Sequence, residues 1–462
     1  RLILAIDQGT TSTRAIAFAV SPQGGFSAVA VSQIELAQHF PHSGWVEHDA
    51  AEIWHATLRT CRAVIAEAGG IDRFAAIGIT NQRETAVLWD AASGEPLHRA
   101  IVWQDRRTAD VTARLTAEGH EPMVQAATGL ILDPYFSATK FAWLLDAVPG
   151  ARARAARGEV RLGTIESWLI WKLTGGARHV TDATNASRTS LMDLETRQWR
   201  DDLCALFKVP REALPRILHG AMKPGDAKIT YGTGAFLVAN VGASPVISSR
   251  RLLGTLGYQL GDTAAWALEG SIFSAGSAIQ WLRDGVGLLS DSAQSEAMAR
   301  SLPGNGGVYL VPGFTGLGAP WWEPDARGTL TGLTRDAGPA HFVRAALEAL
   351  AYQTRDLLDA LAADGAPPLA VLRVDGGVTA NAFAMQFIAD ICEVTVERPA
   401  LQEMTALGAA RLAAFGIGLI DDLSPSATEA PTVWTPRMDP AERAGLIRGW
   451  QSAVRAAIIA AQ

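Results

Sequence analysis

The run Leu2-Ile3-Leu4-Ala5-Ile6-Asp7-Gln8-Gly9-Thr10-Thr11-Ser12-Thr13-Arg14-Ala15-Ile16-Ala17-Phe18-Ala19-Val20 decides how the rest of the chain is read. An apolar stretch, a polar Gly/Thr/Ser turn and a second apolar stretch predict a β-hairpin. Its tip offers hydroxyls, free backbone N–H groups and one carboxylate. Such a tip can surround a phosphate: Gly9 lets the backbone approach, the hydroxyls donate, and Asp7 can hold a metal ion or its water. Taken alone, it reads first as an ordinary polar turn.

The 462 residues exceed what one hydrophobic core usually organises, so two domains are expected. Apolar residues make up 48% and charged residues 19%, with a net charge of -7, as in a globular protein with a large interior. No Lys/Arg block stands out, which argues against nucleic acid and anionic membrane surfaces as partners. Cys61, Cys204 and Cys392 are far apart and form no Cys-x-x-Cys pair, so neither a disulfide framework nor a zinc site is indicated. No signal peptide is read at the start, and no apolar run is long enough to span a bilayer. A reducing cytoplasm is the expected setting.

Short β-branched runs alternate with helical stretches, which predicts an α/β protein. Asp49 and Glu52 form a capping-box pattern opening a helix with Trp54, Leu58, Cys61 and Ile65 on one face. Residues 75–80, 85–89 and 100–103 read as strands, and Thr164 as the cap of a helix through Leu173. The second half then repeats the opening of the first. Lys228-Ile229-Thr230-Tyr231, Gly232-Thr233-Gly234 and Ala235-Phe236-Leu237-Val238-Ala239 are again strand, Gly/Thr turn, strand. A long amphipathic helix bearing Val343, Leu347, Leu350, Leu357 and Leu361 follows. Next come a buried strand over 369–374, Asp375-Gly376-Gly377, and a helix from about Asn381. Two halves with the same turn chemistry predict duplicated domains closing on a nucleotide, divided near residue 220 into 1–220 and 221–462.

Eight segments together carry a resemblance. Asp7 to Ser12, Gly78 to Thr85, Ala100 to Arg107, Asp133 to Ser137, Thr181 to Arg188, Thr230 to Gly234, Phe314 to Pro320 and Asp375 to Gly377 resemble those of the glycerol kinases. These belong to the FGGY carbohydrate kinases within the actin-like ATPase superfamily. The resemblance runs through essentially the whole chain in one order. It implies an α/β fold of two actin-like (ribonuclease H-like) domains with a nucleotide and substrate cleft between them. The implied activity is ATP-dependent phosphorylation of glycerol, with ATP and Mg²⁺ as cofactors. It also implies a homodimer or homotetramer.

A polyol carries no charge, so a site must read it by hydroxyl hydrogen bonds and by aromatic walls against its carbon face. Arg83 and Glu84 supply donors and acceptors at a strand end, although by themselves they also read as a solvated salt bridge. Trp103, Tyr135 and Phe236 can supply the walls. The resemblance implies that Arg83, Glu84 and Tyr135 bind the glycerol hydroxyls and that Trp103 and Phe236 pack on its backbone. It assigns Thr10, Thr11, Ser12, Arg14 and Thr233 to the phosphates. Gly276, Gln280, Gly377 and Asn381 would serve the nucleotide, and Asp7 the magnesium. A longer polyol or a sugar such as xylulose is the alternative substrate.

One departure stands out. Glycerol kinases carry a Gly-Asp-Gln motif shortly before the second hairpin, whose Asp is the expected catalytic base. No such motif occurs here: only His219, Gly220, Ala221 and Met222 lie between Leu218 and Lys223. Asp226 stands at a different place in the motif order and is no substitute. Either the natural chain contains a few dozen residues that this sequence omits, or the deletion is real and the protein binds without turning over. The first is favoured, because a true deletion would strip sheet edges from a domain core. The loop that holds a sugar-bisphosphate inhibitor in some relatives falls in the same gap.

Overall fold

The computed structural model describes the chain except residues 219–226, 261–262, 367–368, 370, 400–403, 422, 424–429 and 462. The residues flanking the absent Gly-Asp-Gln motif, His219 to Asp226, therefore lie outside the described residues. The leading segment is the predicted hairpin: β1 (Leu2–Gln8) and β2 (Ser12–Val20) pair antiparallel from Leu2↔Ala19 to Gln8↔Thr13. β3 (Phe26–Glu35) extends β2, while β4 (Phe74–Asn81) lies parallel to β1 on its other side, giving the order β3-β2-β1-β4. The crossover between β3 and β4 runs through helix α1 (Ala50–Glu67), N-capped by Asp49, whose carboxylate accepts from the Ala51 and Glu52 N–H groups. The buried face of α1 is Ile53, Ala56, Thr57, Thr60, Cys61 and Val64. Trp54, Leu58 and Ile65 lie at its edges, because the sheet sits one residue round the helix from the expected stripe. Further along are α2 (Ser137–Ala147) and α3 (Ile165–Leu173). Thr164 precedes α3 as expected but makes no cap bond; its hydroxyl donates to the Glu166 carboxylate at 2.6 Å instead. The strand expected over 85–89 begins at Val87, and that over 100–103 is confined to Ala100–Ile101.

The second half builds the same sheet again. β5 (Ala227–Tyr231) and β6 (Ala235–Gly242) form the second hairpin, and β7 (Leu253–Leu260) and β8 (Thr263–Ile272) continue it on the β6 side. Helix α4 (Gly276–Gln280) follows β8, and α5 (Pro339–Ala363) is the long amphipathic helix, with Val343, Leu347, Leu350, Leu357 and Leu361 all buried. β9 (Val371–Asp375) lies parallel to β5, as β4 does to β1. Helix α6 (Ala382–Cys392), strand β10 (Thr395–Arg398), helix α7 (Met404–Gly416) and strand β11 (Thr432–Trp434) follow, and helix α8 (Pro440–Ile459) ends this part. The larger sheet has the order β7-β8-β6-β5-β9-β10-β11. A first strand hairpinned to its successor and flanked by a parallel strand is the shared unit. The duplication inferred from turn chemistry is thus present in the strand order.

Alternation along β1 explains the two-sided core. Leu2, Leu4 and Ile6 pack with Ile53, Val64 and Trp168, whereas Ile3 and Ala5 join Ile16 and Phe18 on the other face. That other face is covered by α7, through Ala406, Ala410 and Ala414. A helix late in the sequence thus completes the core of the first lobe. Its alanines let it lie very close: a Cβ on Gly78 of β4 would stand 2.2 Å from the Ala409 carbonyl oxygen. Gly78→Val should therefore push α7 off the sheet and lower the unfolding free energy by about 2–3 kcal/mol. Urea denaturation checks this, and an unchanged midpoint would contradict the packing.

Candidate active site

The first hairpin presents a half-buried, tightly pinned tip. Gly9 N–H donates to the Ser12 carbonyl at 2.9 Å, and Leu36 N–H to that of Thr11 at 2.9 Å. Gln82 braces it from the neighbouring strand: its backbone N–H reaches Gln8 O at 2.7 Å and its side-chain amide reaches Gly9 O at 3.1 Å. Gln33 gathers two of the expected phosphate residues, donating to Ser12 Oγ at 3.1 Å and accepting from Arg14 Nε at 3.0 Å. Asp7 lies directly across the hairpin from Arg14. Ser12 and Arg14 are thus tied together at the hairpin tip that carries Thr10 and Thr11, with Asp7 across from Arg14.

The acceptor residues adjoin it. Trp103 Nε1 donates to Thr10 Oγ1 at 2.9 Å, tying the aromatic wall to the phosphate tip. Ring centroids of Tyr135 and Phe236 lie 5.7 and 5.4 Å from that of Trp103. Phe236 comes from β6, so the wall is assembled from both lobes. Phe273 and Trp322 extend it, at 5.6 Å between Tyr135 and Phe273 and 5.9 Å between Phe273 and Trp322. Local sequence pattern carries no signal for these two. Tyr135 is set in place from beneath. Lys140 of α2 is buried and donates to the carbonyls of Pro134, Tyr135 and Phe136 at 2.9, 2.6 and 2.9 Å. Burial pulls the Lys140 pKa down to about 7 against the pull of Glu84, Asp105 and Asp133.

Arg83 and Glu84 are not a surface pair. Glu84 sits at a φ of 62°, a left-handed conformation costly for a non-glycine residue, which sends the two side chains to different partners. Glu84 accepts from Arg188 Nε at 2.6 Å, and Arg83 pairs with Glu269 of β8 across the cleft. Arg188 Nη2 is 3.6 Å from the same Glu269 oxygen. Burial opposes charge on Arg83, but Glu269 and Glu84 outweigh it and raise its pKa. Burial likewise pushes Glu269 up, and Arg188 and Arg83 overcome this to hold it below the ordinary carboxylate value. Two arginines and two glutamates thus form one charge-balanced group, with the Arg188 guanidinium 5.4 Å from the Tyr135 ring centre.

Behind the tip a second polar network includes Asn81, Glu166, Asp182 and Asn185. Asn81 Nδ2 donates to Glu166 Oε2 at 3.0 Å, and Thr164, Thr181 and Ser167 donate to Oε1. Burial, and then the nearby Asp182 charge, push Glu166 up from 4.5 to about 7. The unfolded chain releases this proton near 4.5 and the fold keeps it to about 7. Between those values the unfolded chain binds fewer protons, so stability falls as pH rises. The loss is on the order of 3 kcal/mol and is complete above the folded pKa. Glu166→Gln should remove this slope, and chemical denaturation of both proteins from pH 4.5 to 8 checks it.

The second hairpin turn closes on α4. Gly232 N–H donates to Gly234 O at 2.8 Å, and the Ala275 and Gly276 N–H groups reach Thr233 O and Gly232 O at 2.9 Å each. A Cβ on Gly276 would stand 2.6 Å from Gly232 O, so only glycine permits this approach. Gly276, Thr233 and the loop after β9 therefore converge, with Gly377 exposed there and Gln280 exposed at the end of α4. Asn381 acts locally. It N-caps α6, accepting from Ala384 N–H at 3.0 Å, and donates to Ser295 Oγ at 3.2 Å.

Comparison with known proteins gives these features a context. The chain matches the model of the FGGY family of carbohydrate kinases, N-terminal domain, over residues 2–249, and that of the C-terminal domain over residues 227–417. It is 51% identical to the glycerol kinase of Ectopseudomonas mendocina, with 98% of each chain covered. It is also 51% identical to glycerol kinase 1 of Pseudomonas aeruginosa, again over 98% of each. The alignment with the former runs over 491 positions, and this chain has 462 residues, so at least 29 positions of that relative have no counterpart here. Among solved structures, Plasmodium falciparum glycerol kinase with ADP superposes with a TM-score of 0.84 at 34% identity, covering 99% of this chain and 98% of that one. A xylulose kinase of Lactobacillus acidophilus, at 22% identity and a TM-score of 0.80 over 98% of this chain and 97% of that one, shares the fold.

Proposed function

The chain belongs to the FGGY family of carbohydrate kinases, and we infer that it transfers the terminal phosphoryl group of ATP to glycerol, giving sn-glycerol 3-phosphate. The observation that carries this reading is identity to glycerol kinases over nearly the full length of both chains. The clustering of Trp103, Tyr135 and Phe236 supports it, since bulky walls suit a small acceptor better than a sugar.

Phosphoryl transfer passes through a loose transition state, so the protein acts mainly by positioning and by charge. In this reading Arg83 and Glu84 bind two hydroxyls, and Tyr135 a further one. Trp103 and Phe236 cover the carbon face and exclude water, which would otherwise accept the phosphoryl group. Thr10, Thr11, Ser12, Arg14 and Thr233 hold the phosphates, while Gly276, Gln280, Gly377 and the Asn381 corner face the nucleoside. Among the described residues no three His, Cys, Asp or Glu side chains converge into a metal cage. Mg²⁺ needs only one or two carboxylates when phosphate oxygens and water complete its shell, and the place of Asp7 at the hairpin base suits that demand. When bound, Mg²⁺ would neutralise charge developing on the phosphates. The domain boundary near residue 220, a dimer or tetramer, and a cytoplasmic setting belong to the same proposal. No helix among the described residues is long and apolar enough to cross a membrane.

The test is ATP-dependent ADP release on a panel of glycerol, erythritol and xylulose, with calorimetric titration of each on the same sample. Turnover that is fastest with glycerol supports the assignment. Preference for the pentulose would replace the substrate, and binding without ADP release would replace catalysis by a binding role.

A further inference from the structure

Glu269 lies in the middle of β8, just after the apolar run Ala264-Ala265-Trp266-Ala267-Leu268, where a charged residue is costly unless it is paired. It is completely buried. Its register partner on β6 is Val238, and Ser271, two residues on and therefore on the same face, pairs with Phe236. That face looks into the acceptor pocket: Ser271 Oγ is 3.5 Å from the Tyr135 hydroxyl, and Phe236 packs on Trp103. One oxygen of Glu269, Oε1, meets Arg83 and stands 3.6 Å from Arg188. Among the described residues, the other, Oε2, is buried without a hydrogen-bond partner, and so are Arg188 Nη1 and Nη2. An ionised carboxylate and a guanidinium rarely leave such valences unused in a dry site. A polyol hydroxyl donates and accepts at once, so it satisfies both sides of this gap.

We propose that Glu269 is an acceptor-specificity residue, which orients Arg83 from the opposite lobe and takes one polyol hydroxyl on Oε2. The proposal rests on the glycerol kinase reading and adds to it a residue from the second lobe. The hydroxyl-reading set is then Arg83, Glu84, Tyr135 and Arg188 from one lobe and Glu269 from the other. Acceptor recognition is complete only when the lobes are together. A kinase so built couples closure to the presence of the acceptor, which limits futile hydrolysis of ATP.

Glu269→Gln keeps the shape and one acceptor for Arg83 but removes the charge. The expected result is a glycerol KM raised by about tenfold or more, with the ATP KM within about twofold and some fall in the thermal midpoint from the lost buried charge. Glu269→Asp, which keeps the charge, should recover part of the glycerol affinity. An unchanged glycerol KM in Glu269→Gln overturns the proposal. So do parallel rises in both KM values, which would mark a clamp between lobes and nothing more. The wild-type protein in the same series separates the two levels. If it neither binds nor phosphorylates glycerol, the kinase reading falls; if it turns over and Glu269→Gln matches it, only the role of Glu269 falls.

Discussion

Replacing Arg83 by Ala raises the KM for glycerol about 10- to 100-fold and leaves that for ATP within about twofold. A charged donor bound to a hydroxyl is worth about 1.5–3 kcal/mol, which sets this range. The nucleotide side is unaffected because the Arg83 guanidinium is directed to Glu269, away from Thr10, Ser12, Arg14 and Thr233. The substitution also leaves the buried Glu269 facing Arg188 alone, so some loss of thermal stability accompanies the kinetic effect. Steady-state kinetics with a melting curve on the same sample separates the two. A glycerol KM equal to that of the wild type would remove Arg83 from the acceptor site.

The second large effect concerns the missing base. Inserting between Leu218 and Lys223 the Gly-Asp-Gln-bearing segment of a glycerol kinase should raise kcat by about 10²- to 10⁴-fold, the usual contribution of a positioned proton acceptor. KM for glycerol should move little, since a base acts on the attacking hydroxyl as the O–P bond forms and contributes mainly in the transition state. The E. mendocina enzyme has at least 29 positions without a counterpart here. Single-turnover measurements on both proteins give the answer. Equal rates would mean that proton removal is handled by groups already present in this chain.

Much of the site is legible in local pattern. Turn chemistry between apolar runs identifies both hairpins, because Gly, Thr and Ser tips are set by residues within a few positions of one another. The aromatic wall of Trp103, Tyr135 and Phe236 comes together as expected. Asp49 caps its helix, but the helix face is turned by one residue from the expected stripe, since burial depends on where the sheet lies and not on periodicity alone. Asn381 caps the start of its own helix. Phe273, Trp322 and Arg188 carry no local signal, though a lone Glu269 in an apolar strand is one open to reading.

Local residue pattern specifies the α/β class and the duplicated hairpins. These follow from side-chain alternation and backbone sterics, which act over a few residues. Long-range packing sends Arg83 and Glu84 apart, each to an opposite charge 104 to 186 positions away in the chain. It also decided that α7, late in the sequence, closes the core of the first lobe against Gly78. Both are outcomes of charge burial and close packing between distant segments. Such choices are fixed by which surfaces meet when the chain folds, and no local pattern encodes them.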